Sequence, residues 1–239
     1  MFGFTKKYNL LDSGILRGST DIHCHVLPGV DDGSPNIDTT FRLLEFMSEQ
    51  IGYSKIWFTP HVMQDLQNTP DSLSAVFSTT KEAYDGPIEF NLAAEYMIDE
   101  GFKQNIENSP LRLGKDHLLV ETSYMNAPVG LDKILLIVWE SGLRPLIAHP
   151  ERYIYMGKME YEHLKEYGFD FQLNIMSLSG YYGSRAKEVA FKLLENDMYN
   201  YVGSDLHHLE IYQPMMEKMK LSKKHLDALS ELIGNNSDI

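Results

Sequence analysis

Six of the seven strand-like segments in this chain end near a side chain that can bind a metal ion. The segments are rich in apolar or β-branched residues, and longer stretches with helical periodicity separate them. They are residues 20–25, 55–61, 89–96, 118–123, 145–149, 171–176 and 199–204. Strand–helix alternation on this scale indicates βαβ units and therefore parallel pairing.

The intervals between these strands carry most of the predicted helices. Asn36 is placed to cap a helix whose buried face includes Phe41 and Leu44. Further helices are predicted over residues 72–84, 131–141, 184–196 and 213–233. Because the chain has no internal repeat and no low-complexity linker, we expect an irregular arm of residues 1–19 and a single α/β domain over residues 20–239.

Composition limits the partners and the location of the protein. The net charge of −13 argues against nucleic acid and anionic membrane as partners, since both require a basic surface. Cys24 is the only cysteine, so the chain has no intrachain disulfide, which is typical of a reducing cytoplasm. No apolar run approaches the ~20 residues that span a bilayer, and residues 1–19 lack the apolar centre of a signal peptide. We therefore expect a cytoplasmic protein without membrane insertion.

The side chains that can bind a metal ion recur at the same position, the C-terminal end of six of these predicted strands. In a parallel barrel the C-terminal strand ends share one face, where active sites form. Strand residues two apart face the same side, so His23 and His25 can reach one cation together. The side chains at the strand ends are His23, His25, His61, Glu95, Glu121, His149, Asp205 and His207.

Simpler interpretations exist for the individual members of this set. The two histidines of the first strand can be satisfied structural residues. Glu95 and Glu121 each end an apolar stretch, and an unpaired buried carboxylate costs several kcal/mol, so a salt bridge is the alternative to a metal ion. Asp31 and Asp32 stand in a loop before Gly33, and spacing alone does not choose between them as a ligand.

Two further residues bear on the type of chemistry. Arg152 lies three residues past His149, and its planar fork suits a phosphate group, although a surface ion pair with Glu151 or another acid is the alternative. A cysteine-dependent tyrosine phosphatase requires an arginine six positions after its cysteine, where this chain has Val30. Cys24 is therefore expected to be a packing residue.

With these residues the chain resembles the polymerase and histidinol phosphatase (PHP) superfamily, and within it the bacterial tyrosine-protein phosphatases of capsule and exopolysaccharide synthesis. The segments that carry the resemblance are residues 21–33, 59–61, 94–95, 120–121, 148–153 and 204–207. The resemblance implies a distorted seven-stranded (β/α) barrel with up to three divalent metal ions. Manganese is the metal that it favours, with iron and zinc as alternatives.

The resemblance also implies a role for each matched residue. The first metal would be held by His23, His25, Glu95 and Asp205. Glu95 would bridge to a second metal held by Glu121 and His149, and a third would be held by Asp32, His61 and His207. Arg152 matches the phosphate-binding arginine and is the expected catalytic and substrate-binding residue. A second arginine of the family is replaced here by Tyr212.

The function that the resemblance implies is hydrolysis of phosphotyrosine in proteins by a metal-activated water. The expected partners are a phosphotyrosine protein and a tyrosine kinase of polysaccharide export. Another phosphoesterase of the same superfamily, such as a histidinol-phosphate phosphatase, would share all of the ligands. A metal-stabilised regulatory module with little turnover is the alternative outside enzymes, because the second arginine is missing.

Overall fold

Parallel strands alternate with helices along the computed structural model, which describes residues 6–107 and 109–239. The strands are β1 (Lys7–Asn9), β2 (Thr20–Cys24), β3 (Lys55–Phe58), β4 (His61–Val62), β5 (Glu89–Leu92), β6 (Glu95–Met97), β7 (His117–Glu121), β8 (Arg144–Ala148), β9 (Asp170–Asn174), β10 (Tyr201–Gly203) and β11 (Lys220–Ser222). The α-helices are α1 (Leu10–Ser13), α2 (Ile37–Glu45), α3 (Pro70–Ala83), α4 (Phe102–Glu107), α5 (Leu131–Glu140), α6 (Lys158–Glu166), α7 (Gly183–Glu195), α8 (Leu209–Lys218) and α9 (Lys223–Asn235). The fold is therefore mixed α/β, as the sequence predicts.

The strands form two parallel sheets and one short antiparallel pair. The six-stranded sheet has the order β10-β9-β8-β7-β6-β4, and the three-stranded sheet has the order β2-β3-β5. Every pairing within these two sheets is parallel, whereas β1 pairs antiparallel with β11. Parallel pairing places the C-terminal ends of the strands on one face of the domain.

Two predicted strands are each divided between the two parallel sheets. The segment predicted at 55–61 is interrupted at Thr59 and Pro60, because proline has no N–H to donate to a ladder. The segment predicted at 89–96 is interrupted at Ala93 and Ala94, and Ala93 N still donates to the carbonyl of Phe58 (2.8 Å). The hydrogen-bonded ladders do not close, so a seven-stranded barrel is not confirmed.

The apolar side chains of the strands explain why the sheets are buried. All five residues are buried in each of β2, β7 and β9. Such continuous burial is typical of parallel strands covered on both faces. Ile22, Trp57, Leu119, Leu146 and Ala148 pack together in a small core, while a larger core joins the sheets to the helices. The metal-competent residues follow directly after these apolar segments.

Most predicted helices are confirmed, and α2 shows the reason. The side chain of Asn36 accepts a hydrogen bond from the backbone N–H of Thr39 (2.9 Å), which is the expected cap. After Glu45 the helix continues as a π-helix over Phe46–Ile51. Among the residues that the structure describes, no helix is long and apolar enough to cross a membrane.

The prediction of one helix over residues 213–233 is wrong. The segment contains the end of α8, the strand β11 and most of α9, and Ser222 caps α9 by accepting a hydrogen bond from His225 N (3.2 Å). The strand forms because β1 pairs with it, in the register Tyr8 to Leu221. The prediction of an irregular arm is also wrong for residues 7–13, which form β1 and α1. Residues 1–5 of the predicted arm lie outside the described residues.

Candidate metal centre

The structure brings all nine sequence-predicted ligands into one cluster at the C-terminal ends of the parallel strands. The C-terminal ends of β2, β7, β8 and β10 supply six of them, and Asp32 comes from the loop after β2. His61 and Glu95 are the first residues of β4 and β6, directly after the breaks that follow β3 and β5. The cluster contains four groups of side chains, and within each group the potential ligand atoms all lie within 4.8 Å of one another. They are His25, Asp32, His61 and His207; His23, His25 and Glu95; His23, His149 and Asp205; and His61, Glu95 and Glu121.

Glu95 lies at the centre of this cluster and is completely buried. Its Oε2 atom is 3.3 Å from the Nε2 atoms of both His23 and His25 and 3.2 Å from His61 Nδ1. Its Oε1 atom is 3.0 Å from His149 Nε2. One carboxylate therefore contacts four imidazoles, which is the geometry expected of a bridging ligand.

The two histidines at the end of β2 direct their Nε2 atoms at each other. His23 Nδ1 donates to Gln172 Oε1 (3.0 Å), and His25 Nδ1 donates to Asp31 Oδ2 (2.8 Å). These bonds hold the two rings so that their Nε2 atoms lie 3.1 Å apart at the cluster. An outer partner that fixes the tautomer in this way is characteristic of metal-binding histidines.

Asp31 and Asp32, which spacing did not distinguish, have different positions. Asp31 accepts the hydrogen bond from His25, and its Oδ2 also accepts from the backbone N–H of His61 (3.2 Å). Asp32 instead directs Oδ1 toward the cluster, 3.4 Å from His207 Nε2 and 3.6 Å from His61 Nε2. Asp32 is thus placed to bind a cation and Asp31 to orient a ligand.

Close backbone approaches hold the first loop and the last strand against the two histidines. A Cβ atom at Gly33 would lie 1.9 Å from the carbonyl oxygen of His25, so only glycine fits there. At Gly203 a Cβ atom would lie 2.6 Å from the Cβ of His23 and 2.7 Å from Gln172 Nε2. These glycines let Asp32 and Asp205 approach the same cluster.

The donor set fits divalent cations. Glu95 Oε2 and His149 Nδ1 are buried without a hydrogen-bond partner. Burial acts to lower the pKa of His23, but the charges of Glu95 and Asp205 outweigh it and raise this pKa to about 9. The cluster therefore stabilises positive charge at its centre. Mixed imidazole and carboxylate ligands suit Mn, Fe or Zn.

The grouping of the predicted ligands differs from the expected one in three places. Asp205 groups with His23 and His149 instead of joining His23, His25 and Glu95. His25 joins Asp32, His61 and His207, although the resemblance implies the last three alone. His61 rather than His149 completes the group with Glu95 and Glu121, with 2.9 Å between His61 Nδ1 and Glu121 Oε1. His149 still lies 3.0 Å from Glu95 through its Nε2.

Two ligands have backbone conformations that few non-glycine residues adopt. His149 has φ of 35° and Asp205 has φ of 52°, both in the left-handed region. Buried Glu151 fixes the turn after His149, because its Oε1 accepts from Asn174 N (3.0 Å) and its Oε2 from Tyr199 OH (2.9 Å). Strained backbone held in this way is common at functional sites.

Arg152 lies beside the cluster and faces a cavity of about 260 Å³. Its Nη1 donates to Asp205 Oδ2 (2.8 Å), and its guanidinium stacks between the rings of Tyr124 and Tyr182. Of the alternative ion pairs, the one with Glu151 is not formed, because the Glu151 carboxylate is buried against Asn174 and Tyr199. Arg152 pairs instead with another acid, the buried Asp205. The cavity is lined by Asp32, His61, Glu95, Tyr124, Arg152, Tyr181, Tyr182, Asp205, His207, His208 and Tyr212.

Cys24 is separated from this cavity, as the alternation along β2 predicts. Its side chain is fully buried, and its thiol donates to the carbonyl of Trp57 (3.3 Å). Burial, followed by the nearby charge of Asp21, raises the pKa of the Cys24 thiol well above its usual range. A protonated thiol is a poor nucleophile, so the geometry gives Cys24 no role in attack on a substrate.

Of the four histidines that were not predicted as ligands, His208 lines the cavity and the other three lie elsewhere. His117 contacts Asp170 (3.3 Å) at the start of β7, His163 is exposed on α6, and His225 bonds to Glu195 (2.7 Å). The sequence analysis missed Gln172 and the tyrosines around Arg152. A glutamine inside the apolar segment Phe171–Leu173 was a usable signal, whereas the tyrosines gave none.

The fold and the site define a mixed α/β single-domain protein with a buried His/Asp/Glu cluster at its parallel strand ends. The chain belongs to the capsular polysaccharide synthesis family CpsB/CapC, whose family model matches residues 19–237. The predicted resemblance to the tyrosine phosphatases of capsule synthesis is thereby confirmed.

Individual relatives agree with this assignment. The tyrosine-protein phosphatase YwqE of Bacillus subtilis (strain 168) is 27% identical over 198 residues, which cover 80% of this chain and 78% of the relative. The tyrosine-protein phosphatase CpsB of Streptococcus pneumoniae is 29% identical over 215 residues, covering 83% and 86%. A chain from the crystal structures of YwqE and CpsB, described as unique metal-dependent tyrosine phosphatases, superposes with a TM-score of 0.76 at 26% identity, covering 90% of this chain and 94% of that one.

Proposed function

We propose that this protein is a metal-dependent tyrosine phosphatase that hydrolyses phosphotyrosine in proteins of capsule or exopolysaccharide synthesis. The observation that carries the proposal is the cluster of nine potential ligands, five of which line one cavity together with Arg152. The relatives named as tyrosine-protein phosphatases support the same activity.

Up to three divalent ions would be held in the sets that the family resemblance implies. The first would be held by His23, His25, Glu95 and Asp205, the second by Glu95, Glu121 and His149, and the third by Asp32, His61 and His207. When bound, such ions supply Lewis acidity, which brings the pKa of a coordinated water to roughly 7 and offsets charge on phosphoryl oxygens. Manganese is the metal that we propose, with iron and zinc as alternatives.

The chain's own residues bind and orient the substrate. Arg152 presents a cation at the cavity and would hold phosphoryl oxygens through charge-assisted hydrogen bonds. Burial acts to lower the pKa of Arg152, but the charge of Asp205 outweighs it and raises this pKa, so the guanidinium stays charged. Asp31 and Gln172 keep the histidine rings in their orientation.

The leaving group supports phosphotyrosine as the substrate. A departing phenolate has a conjugate acid with a pKa near 10. It therefore needs less protonation by a general acid than a serine alkoxide. The cavity beside the cluster is lined by aromatic residues, among them Tyr124, Tyr181 and Tyr182, which can contact the ring of a phosphotyrosine.

Other parts of the account also stay proposals. The seven strand segments would form a distorted barrel if the two parallel sheets are taken together, and the hydrogen bond from Asp205 N to His23 O (2.8 Å) supports this. A tyrosine kinase of polysaccharide export is the partner that we propose. The domain boundary at residue 20 and the cytoplasmic location stay predictions.

A substrate panel tests the proposed function. We expect the metal-loaded protein to hydrolyse phosphotyrosine peptides with a higher kcat/KM than phosphoserine peptides or histidinol phosphate, because the phenolate leaves more readily. Phosphate release is measured for each substrate, together with the metal content of the same sample. Preference for histidinol phosphate would indicate a different phosphoesterase, and full metal content without turnover would indicate a regulatory module.

A further inference from the structure

The guanidinium of Arg152 is held between two aromatic rings that come from different parts of the chain. Its Cζ atom lies 4.2 Å from the ring centroid of Tyr124, in the loop after β7, and 3.9 Å from that of Tyr182, which directly precedes α7. Both distances are within the range of a cation–π contact. The arginine itself follows β8 in a short 3-10 turn.

The rings are themselves anchored to the candidate metal centre. Tyr182 OH donates to Asp205 Oδ2 (3.1 Å), and the amide of Asn174 donates to the Tyr182 hydroxyl (3.0 Å). The loop of Tyr124 is fixed to the arginine's own turn, because Ile154 N donates to the carbonyl of Tyr124 (2.9 Å). Tyr124 OH makes only a long bond to Glu121 Oε2 (3.4 Å).

This arrangement lowers the cost of binding an anion. A free arginine side chain has many rotamers, and ordering it upon binding opposes affinity. Here the two rings restrict the guanidinium plane, and Asp205 holds Nη1 at 2.8 Å. The side chain is only 15% exposed and still lines the cavity. The guanidinium of Arg152 is therefore ordered before a substrate binds.

We propose that Tyr124 and Tyr182 are positioning residues, which hold Arg152 flat so that its free edge binds the phosphoryl group. The inference rests on the proposed phosphatase function, because it assigns the arginine to the substrate anion. Both hydroxyls donate to a candidate ligand, Tyr124 to Glu121 (3.4 Å) and Tyr182 to Asp205 (3.1 Å). Tyr124 is the better test because its bond is the longer one, and Tyr124→Phe separates the loss of this hydroxyl from the loss of the ring.

The test uses inorganic phosphate as the probe on the metal-loaded full chain, by titration calorimetry. Tyr124→Leu removes the ring, and we expect it to weaken phosphate binding about tenfold. Tyr124→Phe keeps the ring and should bind phosphate within about twofold of the wild type. Tyr8→Leu is the matched control, since Tyr8 is an exposed tyrosine with a cation–π contact from Lys6 (4.9 Å) on β1, outside the cavity.

A double-mutant cycle shows whether the ring acts through the arginine. In an Arg152→Ala background, Tyr124→Leu should change phosphate affinity by less than about twofold, because no guanidinium is left to position. Metal content should equal the wild-type value in every Tyr124 variant. Tyr182→Leu, measured in the same way, provides a second variant should Tyr124→Leu fail to fold.

Three results would overturn the inference. The first is that Tyr124→Leu weakens phosphate binding as much in the Arg152→Ala background as in the wild type. The second is that Tyr124→Phe and Tyr124→Leu lose the same amount of phosphate affinity. The third is that Tyr124→Leu loses bound metal together with phosphate affinity. A wild-type protein that binds phosphate but does not hydrolyse a phosphotyrosine peptide would refute the proposed function instead, and the calorimetric cycle would still decide the role of the rings.

Discussion

Replacement of Glu95 by glutamine is expected to lower kcat/KM for a phosphotyrosine peptide by on the order of 10³-fold and to lower the bound metal content. Glutamine keeps the size of the side chain but removes the negative charge. That charge faces His23 and His25 at 3.3 Å and is completely buried. A bridging ligand serves two cations, so its loss affects both. Activity and metal analysis on the same purified sample measure the effect.

His163→Ala is the matched control for this variant. His163 is exposed on α6, and its ring contacts that of Tyr167, which is not a member of the cluster. We expect wild-type activity and wild-type metal content. A Glu95→Gln protein that keeps its metals and its activity would refute the assignment of the site.

Arg152→Ala is expected to lower kcat/KM by about 10²- to 10³-fold, which is the loss seen when one donor to a developing anion is removed. Most of the metal should remain, because Asn174 and Tyr182 still donate to Asp205 Oδ2 (2.7 and 3.1 Å). Arg152→Lys should recover only part of the activity, since an ammonium is a point charge without a planar fork. Steady-state kinetics and metal analysis separate the two effects.

Arg185→Ala is the control for the removal of an arginine near the same turn. Arg185 donates to the backbone carbonyls of Ile154 and Met156 (both 3.0 Å) and does not line the catalytic cavity. We expect it to retain wild-type phosphate affinity. An Arg152→Ala protein that loses its metals together with its activity would show that the arginine serves the cluster and not the substrate.

The sequence predicted which side chains come together better than it predicted the sheets. Eight of the nine predicted ligands lie at or just after an apolar segment, and parallel pairing then places these positions on one face. His23 and His25 needed only the twofold period of a strand to be placed together. Asp32 was separated from Asp31 by family resemblance, and the structure places the two carboxylates in different roles.

Features that depend on contacts distant in sequence were not predictable from local pattern. β11 is three residues long and exists because β1 pairs with it from the other end of the chain. At Pro60 and Ala94 the chain leaves the three-stranded sheet and enters the six-stranded sheet. Only the first of these breaks has a local sequence signal, the proline itself. Gln172 bonds to His23, which lies 149 positions away in the sequence. The ring of Tyr182 contacts the guanidinium of Arg152 across 30 positions.

Asp205 links the two parts of the site physically. Its Oδ1 faces the nitrogens of His23 (3.4 Å) and His25 (3.5 Å), while its Oδ2 accepts from Arg152 (2.8 Å). The donors on Oδ2 hold the carboxylate so that Oδ1 stays directed at the cluster. A single carboxylate therefore contacts both the candidate metal centre and Arg152, the proposed phosphate-binding residue.

We expect hydrolysis to depend on the metal cluster and not on Cys24, and a paired chelation assay distinguishes the two. Wild type and Cys24→Ser are assayed together on one phosphotyrosine peptide, before chelation, after a strong chelator, and after addition of Mn²⁺, with metal content measured each time. The account predicts that Cys24→Ser keeps most activity, because its buried thiol bonds to Trp57 away from the cavity, and that chelation abolishes activity and Mn²⁺ restores it in both proteins. An inactive Cys24→Ser protein with its full metal complement, or a wild type indifferent to chelation, would contradict the account.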